Sequence, residues 1–376
     1  MPWNARSAMS LREEFVALAQ RPGTTMSELC RRYGISRKTG YKWCRREDAL
    51  GDRSRRPHRS PYRTEAAVEA LVLSTRDRFP DWGPRKLRRY LQDHGHRELP
   101  AVSTFSAILQ RHGRITAAAS AAATPWQRFE HPQPNALWQM DFKGHVPLAQ
   151  GRCHPLTVLD DHSRFNLLLH ACAGETLADV QGPLEQCFRR YGLPQRISCD
   201  NGPPWGTMQR EDRLTRLGVW FIQLGIELSH ARPCHPQTNG KDERFHRTLN
   251  SGLLQRQSLH DLVQAQRAFD AYRQLYNELR PHEALNLEVP LARYRPSERP
   301  YPERLPPVEY DPGLPVRRVD VAGRIDFRGR RYRVAKALRG LPVALTPHAD
   351  QDGLYTVYFC HHIVRIIDLS MPSTID

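Results

Sequence analysis

The stretch CHPQTNGKDERFHRTL, residues 234–249, puts an acid, Glu243, in the first turn of an expected helix and crowds Lys241, Arg244, His246 and Arg247 around it. A carboxylate suits the positive end of a helix dipole, and Asn239 is placed to cap that helix. Neither fact explains the cations. Two more acids stand at the ends of strand-like runs: Asp141 in LWQMDFKG, and Asp200 closing RISCD before Asn201-Gly202. The three are 59 and then 43 positions apart, so only the fold can gather them. Ends of adjacent central strands, faced by a helix N-terminus, would converge three carboxylates. Such a cluster repels itself unless a hard divalent cation, bound through oxygen, removes the repulsion. Acids that hold metal beside cations that hold phosphate are the equipment for chemistry on a polyanion. In that scheme Lys241, Arg244 and Arg247 contact phosphates, while Asn201, His235, Gln237 and Asn239 flank the pocket and orient phosphate or water.

Other reactive side chains are weighed against these. Asp160 and Asp161 in VLDDHSR sit together at a strand end, where a turn role is expected. The eight cysteines are scattered, with no CxxC pair and no Cys/His quartet at zinc-finger spacing, so reduced and partly buried thiols are expected. His230, Cys234 and His235 lack a second ligand pair and read as part of a loop.

The elements that must position the acids follow from periodicity. ALWQMDFKGHVPL, HPLTVLDDHSRF and NLLLHACAG are apolar or alternating runs broken by Gly, Pro and Asp, as strands are. Residues 177–191 read as a helix, QRISCD as a short strand, 209–224 as a helix and IELSHA as another strand. Helices follow over about 240–255 and 259–279. Strands first, then alternating helix and strand, predict a mixed α/β sheet covered by helices.

Upstream, LREEFVALAQ has helical spacing, a second helix runs from about Thr25 to Gly34, and Ser36 caps a third. The third presents Arg37, Lys38, Thr39, Lys42 and Arg45, with Tyr41 and Trp43 available to the core. Helix, short Gly-containing turn and basic helix suit the major groove of DNA. GDRSRRPHRSPYR, with Arg53, Arg55 and Arg56, reads as an extended linker able to track a phosphate backbone. A second helical trio follows: residues 64–78, then WGPRKLRRYLQDHG with Arg85 and Lys86, then a helix opening at Ser103 or Thr104. It resembles another helix-turn-helix. The tail from 310 alternates like short antiparallel strands with Gly turns and reads as a small β-barrel.

Length and charge agree with a multidomain partner of nucleic acid. The chain has 376 residues, with 56 Lys plus Arg against 40 Asp plus Glu, a formal charge of +16. No apolar run approaches the roughly 20 residues of a membrane span, and the N-terminus lacks a signal-peptide core, so no membrane role is expected. The division is 1–50 first helix-turn-helix, 51–63 basic linker, 64–115 second helix-turn-helix, 116–133 linker, 134–285 catalytic core, 286–309 Pro-rich linker and 310–376 small β-barrel.

Five blocks in order, WQMDFKG, LDDHSRF, SCDNGPPW, RPCHPQTNGKDERFHRTL and YNELRPHEAL, resemble the retroviral-integrase-like DDE transposases of bacterial insertion sequences, especially the IS481 and IS3 group. The resemblance runs from about 130 to 300 and extends to the flanking layout. It implies an N-terminal all-α helix-turn-helix pair, an α/β RNase H-like core and the C-terminal barrel. It further implies that Asp141, Asp200 and Glu243 bind two Mg²⁺ ions, with Mn²⁺ able to substitute, for in-line phosphoryl transfer from water or a DNA 3′-hydroxyl. The implied partners are double-stranded DNA, as terminal inverted repeats and as target, and further copies of the chain in a homodimer or larger assembly. A cytoplasmic, nucleoid-associated bacterial protein is the corresponding expectation. The chain departs from the family in two places. The interval between Asp200 and Glu243 is long, with the excess assigned to a surface insertion within 206–223. The basic residue common further along the helix is replaced by Asn250, and Arg247 takes its DNA-contacting part.

Overall fold

In the first helix-turn-helix, α1 (Ala8–Ala19), α2 (Met26–Arg32) and α3 (Arg37–Cys44) close on Phe15, Leu29 and Cys30. Ser36 caps α3 as its position predicts: its Oγ accepts from Thr39 N at 3.1 Å. Gly40 and Trp43 face inward, three residues apart on one helix face, while Tyr41 is exposed. The expectation that Tyr41 reaches the core is thus corrected. Gly40 is required there because a Cβ would stand 2.6 Å from Cys30 Sγ.

The computed structural model describes residues 8–46, 50–52, 64–115, 130–206, 214–230, 240–348 and 351–370, without the side chain of His230. The chain divides into two units, Met1–Arg63 and Thr64–Asp376. Most of the two linkers expected over 51–63 and 116–133 lies outside the described residues.

The second unit begins with α4 (Ala66–Arg78), α5 (Pro84–Asp93) and α6 (Val102–Arg111). Pro84 opens α5, where its missing N–H costs nothing. Ala101 rather than Ser103 or Thr104 precedes α6, so those two lie in its first turn.

The sheet that follows has the order β4–β3–β1–β5–β6, from β1 (Leu137–Phe142), β3 (Arg152–Asp160), β4 (Asn166–Cys172), β5 (Arg196–Cys199) and β6 (Glu227–His230), with the short β2 (Val146–Pro147) on the start of β3. β3 is antiparallel to β1 and β4; β1, β5 and β6 are parallel. This is the mixed sheet the alternation predicted. Helix α7 (Leu177–Tyr191) covers one face, packing Val180, Leu184 and Phe188 on Trp138, Met140 and Ile197. Helices α9 (Gly240–Leu249) and α10 (Leu262–Gln274), each prolonged by a π-helical turn, cover the other through Phe245, Leu249 and Phe269.

The segment expected as a surface insertion contains α8 (Arg216–Gln223), and its described part is buried on both sides. Leu217, Trp220 and Phe221 join the sheet core, while Val219 and Ile222 join the core of the C-terminal domain. A helix apolar all round must be covered all round. The expected barrel is also corrected. Among the described residues the tail forms an open sheet, β12–β11–β10–β7 (His362–Asp368, Leu354–Phe359, Pro342–Pro347, Val316–Arg318), and a separate hairpin of β8 (Arg324–Phe327) and β9 (Arg330–Arg333). Packing by the hairpin and α8 buries the sheet's apolar face, so strand closure is not needed. Among the described residues no helix is long and apolar enough to cross a membrane.

Candidate active site

Register brings the first two acids together. On β1, Trp138 and Met140 face α7; on β5, Ile197 and Cys199 belong to the same core. Side chains alternate along a strand, so Gln139, Asp141 and Ser198 project to the side covered by α9. Gln139 is level with Ser198 in the parallel pair, and two residues further along each chain stand Asp141 and Asp200. Asp200 comes one residue past the end of β5, is exposed, and accepts from Asn201 N at 2.7 Å.

The third acid comes from α9. Phe245 and Leu249 anchor the helix in the core, which leaves Glu243, Arg244 and Arg247 exposed. Burial pushes the Asp141 carboxyl up to about 7; the Phe142 N–H, at 2.8 Å, opposes the rise, and the charges of Asp200, Glu175 and Glu243 add to it. Asp141 therefore feels both of the other expected acids.

The structure adds residues to which sequence reasoning gave no place in the site. Asp242 is fully buried, and its two carboxylate oxygens lie 3.0 Å from Thr157 Oγ1. Thr157 Oγ1 is also 3.0 Å from the Asp141 carbonyl oxygen and 2.9 Å from His246 Nε2. Burial, with Lys143 nearby, holds His246 down at about 4, so the ring is neutral near pH 7. Burial foremost, then the Asp141 charge, drives the Asp242 carboxyl well above its ordinary range. Ligand atoms of Asp141, Asp242 and His246 lie within 4.8 Å of one another. The available signal was Asp242 and His246 four apart on one helix face, and a threonine interrupting the apolar run of β3.

Lys241 occupies a different place from the one expected. Its ammonium pairs with Asp161, which is 1% exposed. Asp160 and Asp161 take structural duties, as expected of the pair. Asp160 Oδ2 accepts from Ser163 N and Oγ at 2.8 and 2.6 Å, and its Oδ1 from Asn135 N at 2.7 Å.

On the first head Arg37, Lys38, Lys42 and Arg45 are exposed, while Thr39 shares a 2.9 Å hydrogen bond with Ser36. On the second, Arg85 and Ser103 are exposed and Thr104 half-buried. Lys86 is half-buried, and burial together with Arg280 lowers it to about 8. His235, Gln237, Asn239, Arg53, Arg55 and Arg56 lie outside the described residues.

Five family models match the chain: a helix-turn-helix domain over 11–58, a homeodomain-like domain over 39–109, the integrase core domain over 131–236 and again over 224–290, and the IS481 family transposase C-terminal domain over 315–374. The chain is 30% identical over 183 residues to the "Insertion element IS476 uncharacterized 39.2 kDa protein" of Xanthomonas euvesicatoria, a match covering 48% of this chain and 50% of that protein. It is 28% identical over 157 residues to the "Insertion element IS407 uncharacterized 31.7 kDa protein" of Burkholderia multivorans, covering 42% and 54% respectively. The chain thus spans about half the length of these curated relatives. The HTLV-2 integrase catalytic core domain, solved in complex with magnesium, overlaps loosely, with a TM-score of 0.34 and 19% identity over 44% of this chain and 100% of that one. The domain set is that of an integrase-core transposase. More particularly, the C-terminal match and the insertion-element relatives support a DDE transposase of the IS481 type.

Proposed function

We propose that this protein is a DNA transposase that binds the terminal inverted repeats of an insertion sequence, cleaves DNA 3′ ends and transfers them to target DNA by in-line displacement at phosphorus. The observation that carries this reading is the pairing of Gln139 with Ser198 on parallel strands, two residues before Asp141 and Asp200, with Asp200 and Glu243 both close enough to raise the Asp141 carboxyl. The donor set fits hard divalent cations: three carboxylates, oxygen only, whose mutual repulsion a cation relieves. When bound, two Mg²⁺ ions, or Mn²⁺ in their place, would offset the charge that develops on the attacking and leaving oxygens. Asp141, Asp200 and Glu243 would hold them. Arg244 and Arg247, exposed beside Glu243, hold the phosphates of the DNA. Arg37, Lys38, Lys42 and Arg45 on the first head, and Arg85 and Ser103 on the second, contact the repeats. Joining two element ends calls for at least two copies of the chain.

A second ligand set, Asp141 with Asp242 and His246, rests on their mutual proximity. Accessibility argues for the first set. A phosphodiester must reach the metal, and Asp242 is 0% exposed whereas Asp200 and Glu243 are open to solvent. Asp242 and His246 support Asp141 from behind.

A Mg²⁺-dependent joining assay on repeat-end duplexes tests both points. Asp200→Asn and Glu243→Gln are expected to lose several kcal/mol of transition-state stabilisation, about 1,000-fold in rate, with DNA affinity kept. Asp242→Asn is expected to stay within about tenfold of wild type, as loss of one supporting hydrogen bond would give. Wild-type joining by Asp200→Asn would refute the site, and absence of joining by the wild-type protein would leave a DNA-binding regulator. Nicks without joined products would leave a nuclease, and an inactive Asp242→Asn beside an active Glu243→Gln would favour the second ligand set.

A further inference from the structure

The acids beside the expected site, which do not join it, form a connected structure around the first turn of α9. Asp161 Oδ1 accepts from the Lys241 ammonium and, at 2.9 Å, from Gln139 Nε2. Its Oδ2 accepts from His131 N at 2.9 Å, and its own N–H donates to the Leu137 carbonyl at 2.9 Å. The other end of the Gln139 amide, Oε1, accepts from Asp242 N at 3.3 Å. Both ends of that side chain are in use, which fixes its orientation. Asp242 N is one of the first N–H groups of the helix, which have no partner within the helix itself.

These contacts tie the helix to β1 at Lys241, through Asp161, and at the Asp242 N–H, and Glu243 is the next residue. The apolar anchors Phe245 and Leu249 decide which face of α9 is inward. They do not fix how far its first turn slides or rotates over β1; directional hydrogen bonds do. A buried ion pair is a poor stabiliser compared with apolar packing but a good specifier of geometry. We propose that Gln139, Asp161 and Lys241 are positioning residues that set the first turn of α9 and so aim Glu243 at Asp141 and Asp200. The Lys241 ammonium serves this bracket and not a DNA phosphate. The inference rests on reading Glu243 as the third carboxylate of the site.

Joining kinetics of the full-length protein on repeat-end duplexes test it, with Lys241→Met, Asp161→Asn, their double variant and Lys241→Arg. Misplacing a reacting group by an ångström costs about 100-fold, so each of Lys241→Met and Asp161→Asn is expected to lower kcat by about that factor with KM for DNA within about twofold. The double variant should be no worse than the worse single, because the two residues act through one contact. Lys241→Arg, which keeps the pair, should recover kcat to within about tenfold of wild type. A Lys241→Met protein with unchanged kcat and weakened DNA binding would make Lys241 a phosphate contact and overturn the proposal, as would unchanged kinetics throughout. Loss of folding in both single variants would also overturn it, since the pair would then serve the fold and not the site. Activity of Glu243→Gln in the same assay marks the separate failure of the underlying site assignment.

Discussion

The first helix-turn-helix head closes on a few residues, Phe15, Leu29 and Cys30, and the Arg12 and Arg46 guanidiniums lie 4.1 and 4.8 Å from the ring centroid of the buried Trp43. The second head buries Val72, Trp82, Leu87 and Phe105 completely, and Leu275 and Leu279, within the integrase-core match, pack against that cluster. Asp81, beside Trp82, accepts from Arg280 at 2.5 Å and from Arg256 at 3.1 Å. The first head is a unit of its own, and the second is built into the unit that carries the carboxylates. Two similar readers thus have different mechanical roles. On the proposed function, DNA held by the second would stand in a fixed relation to Asp141, whereas the first would add affinity as a linked module, through effective concentration.

The largest effect that sharpens this contrast is expected from Trp82→Ala. Trp82 is 0% exposed and stacks on Phe79 at 4.0 Å between ring centroids, so the truncation should destabilise the second unit by about 3–5 kcal/mol. Hydrogen exchange resolved by segment should show protection falling over residues 64–115 and unchanged over 8–46. Loss of protection in both would show that the heads fold as one. A smaller, opposite pattern is expected from Ser36→Ala, which removes the cap of α3 at a cost of about 1 kcal/mol. Exchange should then quicken in the first head alone.

The smallest effect is a pH dependence. Lys86, near Arg280, has its amine lowered by burial from 10.5 to about 8. Between these values the unfolded chain holds a proton that the folded chain has released, so the second unit should gain stability as the pH rises from about 8 toward 10.5. Below about 8 both states are charged and the cost of burying the ammonium is fully present. In Lys86→Met the rise in melting temperature over that window should be reduced; an identical slope in both proteins would place Lys86 in solvent.

Local signals carried much of the fold. Helix α7 begins and ends where its periodicity predicts, the Ser36 cap forms, and the strand RISC ends just before Asp200. What failed was set by partners distant in sequence. Alternation in the tail identifies strands, but whether a sheet closes depends on what else covers it, here the β8–β9 hairpin and α8. The apolar run LGVWFI does not reveal that two cores compete for it. Within the site, a lysine two residues before Glu243 is the same lysine whether it meets a phosphate or the buried Asp161. Asp242 was legible as a neighbour of Glu243 and as one end of an i, i+4 pair with His246. Its burial follows from the rotation of α9, which the sequence of that helix does not fix by itself.

Crystals soaked in Mn²⁺ and measured for anomalous scattering give the most direct test of the carboxylate assignment. Metal density between Asp141 and Asp200, with Glu243 in the coordination sphere, is the expected result. Density held by Asp242 and His246, with Asp200 and Glu243 unengaged, would contradict it.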